Sequence, residues 1–152
     1  MLAIALTLAV IAPQPTGDLI FLGASRTNMM LIEPASIRRE GEFVLFDQIS
    51  VIEVPESFYG GRLTRAKRFH YRADCLTNSM QVTGFRLLDG AGAQLADHSA
   101  GAPGAMMRAP RGSVADKALT MACTGELPTD QSEYLSDVPA AITAFYRMIN
   151  TR

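Results

Sequence analysis

The sequence predicts an α+β fold: an antiparallel β-sheet of about six strands, one short helix, a C-terminal helix and one disulfide. Three observations carry that expectation. Short apolar runs divided by turn residues fill residues 18 to 97, and helical spacing begins only after Ser113; strands followed by helices is the α+β order. Leu63 to Cys75 alternates polar and apolar residues, the mark of a half-buried strand. Cys75 and Cys123, the two cysteines of the chain, stand behind an apolar leader without metal-ligand spacing. That pattern suits one structural disulfide in an oxidising compartment.

The leader reads Met1-Leu-Ala-Ile-Ala-Leu-Thr-Leu-Ala-Val-Ile-Ala12, then Pro13-Gln-Pro-Thr-Gly17. Its apolar run is shorter than the roughly 20 residues a membrane helix needs. It fits the apolar core of an export signal, although no basic residue precedes it and Pro13 hinders cleavage after Ala12. Residues 1–17 are therefore expected as a signal-like leader, and 18–152 as a single domain in the periplasm or secreted. No cysteine follows the leader, so no lipid anchor is expected there. A transmembrane span is not expected either. With 48% hydrophobic residues the chain can build a core that the disulfide only supplements, and a net charge of −1 does not argue for nucleic acid or anionic membrane.

Asp18–Ala24 and Asn28–Glu33 form an opening hairpin around Ser25-Arg26-Thr27, and Glu33-Pro34-Ala35-Ser36 breaks the second run. Glu42 to Val54 is the longest strand, ended by Pro55, and Ser57–Gly61 is a loop. On Leu63–Cys75, Phe69, Tyr71, Ala73 and Cys75 share the core face, and Arg68, His70, Arg72 and Asp74 the other. Gln81–Leu88 and Ala93–Asp97 pair across Asp89-Gly90-Ala91-Gly92. The Gly/Ala/Pro-rich residues 100–111 are an irregular connection. Ser113 caps a short helix running to Cys123, with Asp116 three residues on, and Thr124-Gly125 ends it. Asp137 and Pro139 start the last helix, where Val138, Ile142, Phe145, Tyr146 and Ile149 form one apolar stripe.

The order of features resembles a known family. An acid followed by Ser-Ile, basic residues and Gly stands in Glu33-Pro-Ala-Ser36-Ile37-Arg-Arg-Glu-Gly41. A long strand follows, then Phe69-His-Tyr71-Arg-Ala-Asp74-Cys75, Leu88-Asp89-Gly90 and Pro110-Arg-Gly112-Ser113, with Cys123 last. Over residues 18 to 125 this resembles the bacterial surface-adhesin protein E family; the terminal helix, about residues 138–150, lies outside the likeness. The resemblance implies a small α+β domain with a disulfide, export, and a role in binding, the family's named member being a binder of host extracellular proteins. The chain departs from the pattern in having no Trp, with Phe21 in its place, in lacking an anchor cysteine, and in a Glu at the acid position.

Candidate chemistry is sparse. Cys75 and Cys123 read as a disulfide; two thiols and two scattered histidines make a poor metal site, and no metal or cofactor is expected. A reactive cysteine needs an electropositive pocket, and alternation sets His70 and Arg72 on the far face from Cys75. The basic run Arg62, Arg65, Lys67, Arg68, His70, Arg72 is the clearest departure from neutrality. It reads as a solvated face that also guards a sheet edge, or as a patch for an acidic partner. Arg68, His70 and Arg72 are its face, with Arg65 and Lys67 at the margin. Nucleic acid is not expected, because Phe69 and Tyr71 turn away from the charges. The acids Glu126, Asp130, Glu133 and Asp137 offer counter-charge. His70 and His98 read as surface or hydrogen-bonded residues, Ser113 as a cap, and Met106-Met107 as packing under the loop, with a soft binding edge as the other reading.

The functional expectation is an exported, non-enzymatic small domain that binds a protein or anionic ligand at the cell envelope. Two alternatives stay open: a periplasmic structural component that forms a homodimer through the terminal helix, and a hydrolase whose site assembles across loops.

Overall fold

The computed structural model describes residues 19–99 and 101–151. The leader expected over 1–17 lies outside them. The strands are β1 (Leu19–Ala24), β2 (Asn28–Glu40), β3 (Phe43–Ser57), β4 (Leu63–Asp74), β5 (Ser79–Leu88), β6 (Gln94–Asp97), β7 (Met107–Arg108) and β8 (Tyr134–Leu135). Helix α1 spans Val114–Thr124 and α2 spans Val138–Asn150. All pairings are antiparallel, in the order β6-β5-β4-β3-β2-β1-β8, with β7 on β5. The α+β expectation holds, but the sheet has eight strands where about six were expected. The additions, β7 and β8, are two residues each, too short to show a period.

Two prolines expected to stop strands do not. Between Glu33 and Arg38 the β2–β3 register shifts, so Pro34 falls where no ladder bond is asked of it. Ser36 bridges the gap: its hydroxyl donates to Glu33 O at 2.6 Å and accepts from Asp47 N at 2.7 Å. A second shift, between Val51 and Glu56, accommodates Pro55.

The helices obey their caps. Ser113 Oγ accepts from Asp116 N, and Gly125 closes α1 at φ +74°, a left-handed conformation that favours glycine. Asp137 accepts from Ala140 N at the start of α2. The helices cover opposite faces of the sheet. Ala118, Leu119 and Ala122 of α1 pack in one cluster with Ile20, Leu22, Ile32, Val44, Phe46 and Ala73. Val138, Ala141 and Phe145 of α2 pack in another with Leu19, Leu31, Ile49, Val51, Ala66 and Leu88. Strands β1 and β2 contribute to both clusters, which is why their runs are apolar on both sides. The Tyr146 hydroxyl fastens α2, lying 2.6 Å from Glu53 O and 3.1 Å from Arg65 Nη1. The apolar stripe of the last helix is thus seated on the protein's own sheet.

Cys75 and Cys123 are disulfide-bonded, with Cα atoms 5.8 Å apart, joining the residue after β4 to the last turn of α1. No helix among the described residues is long and apolar enough to cross a membrane.

Candidate functional site

Strand β4 lies between β3 and β5, so its cations guard no edge, contrary to one reading of the basic run. Its even-numbered residues share a face with three cross-strand rows. Arg38, Leu45, Arg72 and Gln81 stand side by side on β2 to β5. Glu33, Asp47, His70 and Gly84 form the next row, and Leu31, Ile49, Arg68, Arg86 and Asp97 the third. Helix α2 covers this face from the third row onward, at Leu31, Ile49, Ala66 and Leu88. What remains is a polar bowl of about 410 Å³ lined by Arg38, Asp47, His70, Thr83, Arg86 and Ser99 among others.

The face is not the acid-free stripe that β4 alone suggests. His70 Nδ1 lies 2.7 Å from Asp47 Oδ1, both side chains about four-fifths buried at 20% and 16% exposure. Arg68 Nη1 is 3.5 Å from Glu33 Oε2. Arg86 stands directly opposite Arg68, a repulsive pairing, and Arg86 Nε in turn holds Asp97 at 3.0 Å. The expected counter-charges, the acids of 126–137, are not the partners in these pairs. Asp137 of that stretch borders this face, lining a cleft with Glu33 and Arg68. Of the marginal residues, Lys67 pairs with Glu56 at 2.8 Å and Arg65 is drawn onto Tyr146. Neither lines the bowl.

Arg72 is stacked on Phe43, its guanidinium carbon 3.6 Å from the ring centroid, a cation–π contact. Three consecutive positions of this face carry a buried side-chain nitrogen that meets no hydrogen-bond partner among the described residues: Arg68 Nε, His70 Nε2 and Arg72 Nε. On the reverse face Phe46, Tyr71, Phe69 and Phe85 form an aromatic row that ends on His98, whose ring is stacked 4.7 Å from Phe85. Burial raises the Tyr71 phenol above its ordinary pKa, so the phenol stays protonated at neutral pH.

The bowl's rim depends on Gly84. A Cβ there would lie 2.5 Å from Ser99 Cα, so only glycine lets the chain after β6 cross over the His70 row. Asp97 pins that crossing. Its carboxyl is held down to about 2 by the Ser99 hydroxyl and amide, then by Arg86. A depressed folded pKa means stability present above the unfolded value near 3.8 and lost as pH falls through about 2. Asp97→Asn is therefore expected to lower the melting temperature at pH 7 and to lower it by much less at pH 2, read by calorimetry at both.

Of the residues lining the bowl, sequence reasoning found His70 but missed Arg38, Asp47 and Arg86; Arg68 and Arg72 share the face but do not line the bowl. A lone acid in the apolar strand Phe43-Val-Leu-Phe-Asp47 was the available signal, since such a group needs a partner. So was Gly84 inside a strand, which marks close approach of another backbone.

Residues 20–124 match the model of the surface-adhesin protein E family. The chain belongs to that family. No curated protein matches it. In fold it is similar to the crystal structure of protein E from non-typeable Haemophilus influenzae, at a TM-score of 0.52 and 18% identity, over 91% of this chain and 96% of that one. Membership in a surface-adhesin family implies an envelope-exposed or secreted protein. Within the adhesin E match lie both cysteines and every residue of the bowl; α2 lies beyond it.

Proposed function

We propose that the protein is a non-enzymatic binder at the cell envelope that holds an acidic group of a partner protein in the bowl. The observation that supports this is the lining of the bowl, where Arg38 and Arg86 flank His70, whose buried Nε2 meets no partner among the described residues. A buried polar atom costs about 1–3 kcal/mol when left unpaired. A carboxylate accepts charge-assisted bonds from guanidinium groups such as those of Arg38 and Arg86. Arg38 and Arg86 supply charge at the rim.

Arg68 is a poor position for testing this, because reversing its charge sets two carboxylates together at Glu33. Arg38 has no such neighbour in its row. Arg38→Glu is expected to weaken binding to immobilised poly-L-glutamate at least tenfold while the melting temperature stays constant, measured by surface plasmon resonance and circular dichroism. Unchanged affinity would reduce the bowl to solvated surface.

The Asp47–His70 couple is the one observation that favours a hydrolase. A hydrolytic couple needs a nucleophile set against the imidazole. The Ser99 hydroxyl instead binds Asp97, Thr83 Oγ1 donates to the His70 carbonyl, and both cysteines are disulfide-bonded. Hydrolysis of p-nitrophenyl acetate that His70→Gln abolishes is the result that would restore this reading.

A further inference from the structure

The edge beside the disulfide end carries a second concavity with different chemistry. Between β5, β7 and the first turn of α1 runs a groove of about 320 Å³, lined by Tyr71, Met80, Val82, Met107, Pro110 and Ala115 among others. That volume lies within the range of small-molecule sites, about 300–1,000 Å³. Gly104 N donates to Val82 O at 2.8 Å, which holds the chain before β7 alongside β5 and shapes one wall. The methionines are not packed under the loop as expected. Met107 is 68% exposed and Met106 41%, and a thioether side chain adapts readily to an apolar guest.

Arg108, Ala109 and Pro110 also line an adjoining cleft of about 470 Å³, whose other walls are Asn78 and Arg111. One continuous surface therefore passes from apolar to cationic. Arg108 Nε donates to Thr77 O at 3.3 Å, and its two terminal nitrogens meet no partner among the described residues. Asp116, the acid that faces Arg111, is already engaged by Gly112 N at 2.8 Å and Asn78 Nδ2 at 3.2 Å. The cleft keeps a net positive charge.

We propose that groove and cleft together bind a free single-chain anionic amphiphile of the fatty-acid class. Its acyl chain lies against Met80, Val82 and Met107, and its carboxylate between Arg108 and Arg111. The charge complementarity selects the guest: an uncharged alkane leaves the arginines unused, and a cationic surfactant meets them with like charge. The concave shape favours one chain over the flat face of a bilayer.

The test is calorimetric titration of the full-length protein with dodecanoate below its micellar concentration, with dodecyltrimethylammonium as the charge-inverted control. Saturable dodecanoate binding is expected, and none of the control. Met107→Glu and Arg108→Glu, both at exposed positions, are each expected to weaken it at least tenfold with the melting curve unchanged. Arg38→Glu, in the bowl, is expected to leave it intact, which separates this site from the proposed partner site. Equal binding of the cationic surfactant, or affinity indifferent to both variants, would overturn the proposal. So would attachment to phosphatidylglycerol vesicles without binding of monomeric dodecanoate, which would make the surface a membrane contact.

Discussion

Phe145→Ala is expected to destabilise the protein by about 3–5 kcal/mol, the range for emptying a buried aromatic site. Phe145 is fully buried, at 0% exposure, between Val138 and Ala141 of its own helix and the Ile49–Val51–Ala66 surface of the sheet. Phe21 packs against that cluster from its partly buried margin, and the expected loss assumes that it keeps its place on β1. Helix α2 has thirteen residues, near the limit below which an isolated helix is marginal in water, so its order depends on this docking. Urea unfolding checks the magnitude. Phe145→Leu keeps much of the volume and is expected to cost about 1.5 kcal/mol or less. Equal, small losses from both would mean that α2 is held chiefly by Tyr146 and its backbone contacts.

Replacing both cysteines, Cys75→Ser with Cys123→Ser, is expected to cost about 2–4 kcal/mol. The bond spans 48 residues of sequence, for which the chain-entropy account gives an upper value of about 4 kcal/mol. In melting temperature this is on the order of 10 °C for a chain of this size. Wild-type protein measured in reductant is expected to coincide with the double variant. A loss under 1 kcal/mol in both would show that β4 and α1 keep their places through packing alone. Because α1 contributes Ala118, Leu119 and Ala122 to the core, some structure is expected to survive without the bond.

The parts of the fold that were legible in the sequence are those written locally. Ser113 and Asp137 announce their helices because a cap is a chemistry of three or four adjacent residues. The two faces of β4 follow from alternation, which needs only the strand itself. Gly125 marks a helix end because few other residues accept its φ. What stayed hidden depends on strand neighbours. The continuation of β2 past Pro34 rests on Ser36 reaching Asp47, eleven residues on. The pairing of His70 with Asp47 is a fact of register between β3 and β4, and no one-strand pattern contains it. For the same reason the basic run looked free of acids, when Glu33 and Asp47 reach it from the adjoining strands.

The arrangement of the two helices has a consequence for how such a molecule can change. Around β1 and β2 the sheet is clamped on both sides, and nearly any polar replacement there meets a packed interior. Around β4 and β5 the clamp ends: the bowl opens on one side, and the aromatic row runs out to an exposed His98 on the other. One flank behaves as a frame and the other as a display, joined by continuous strands but bearing different loads. Substitutions on the display flank can alter what the surface recognises at little cost to the frame, as loops do on an antibody domain.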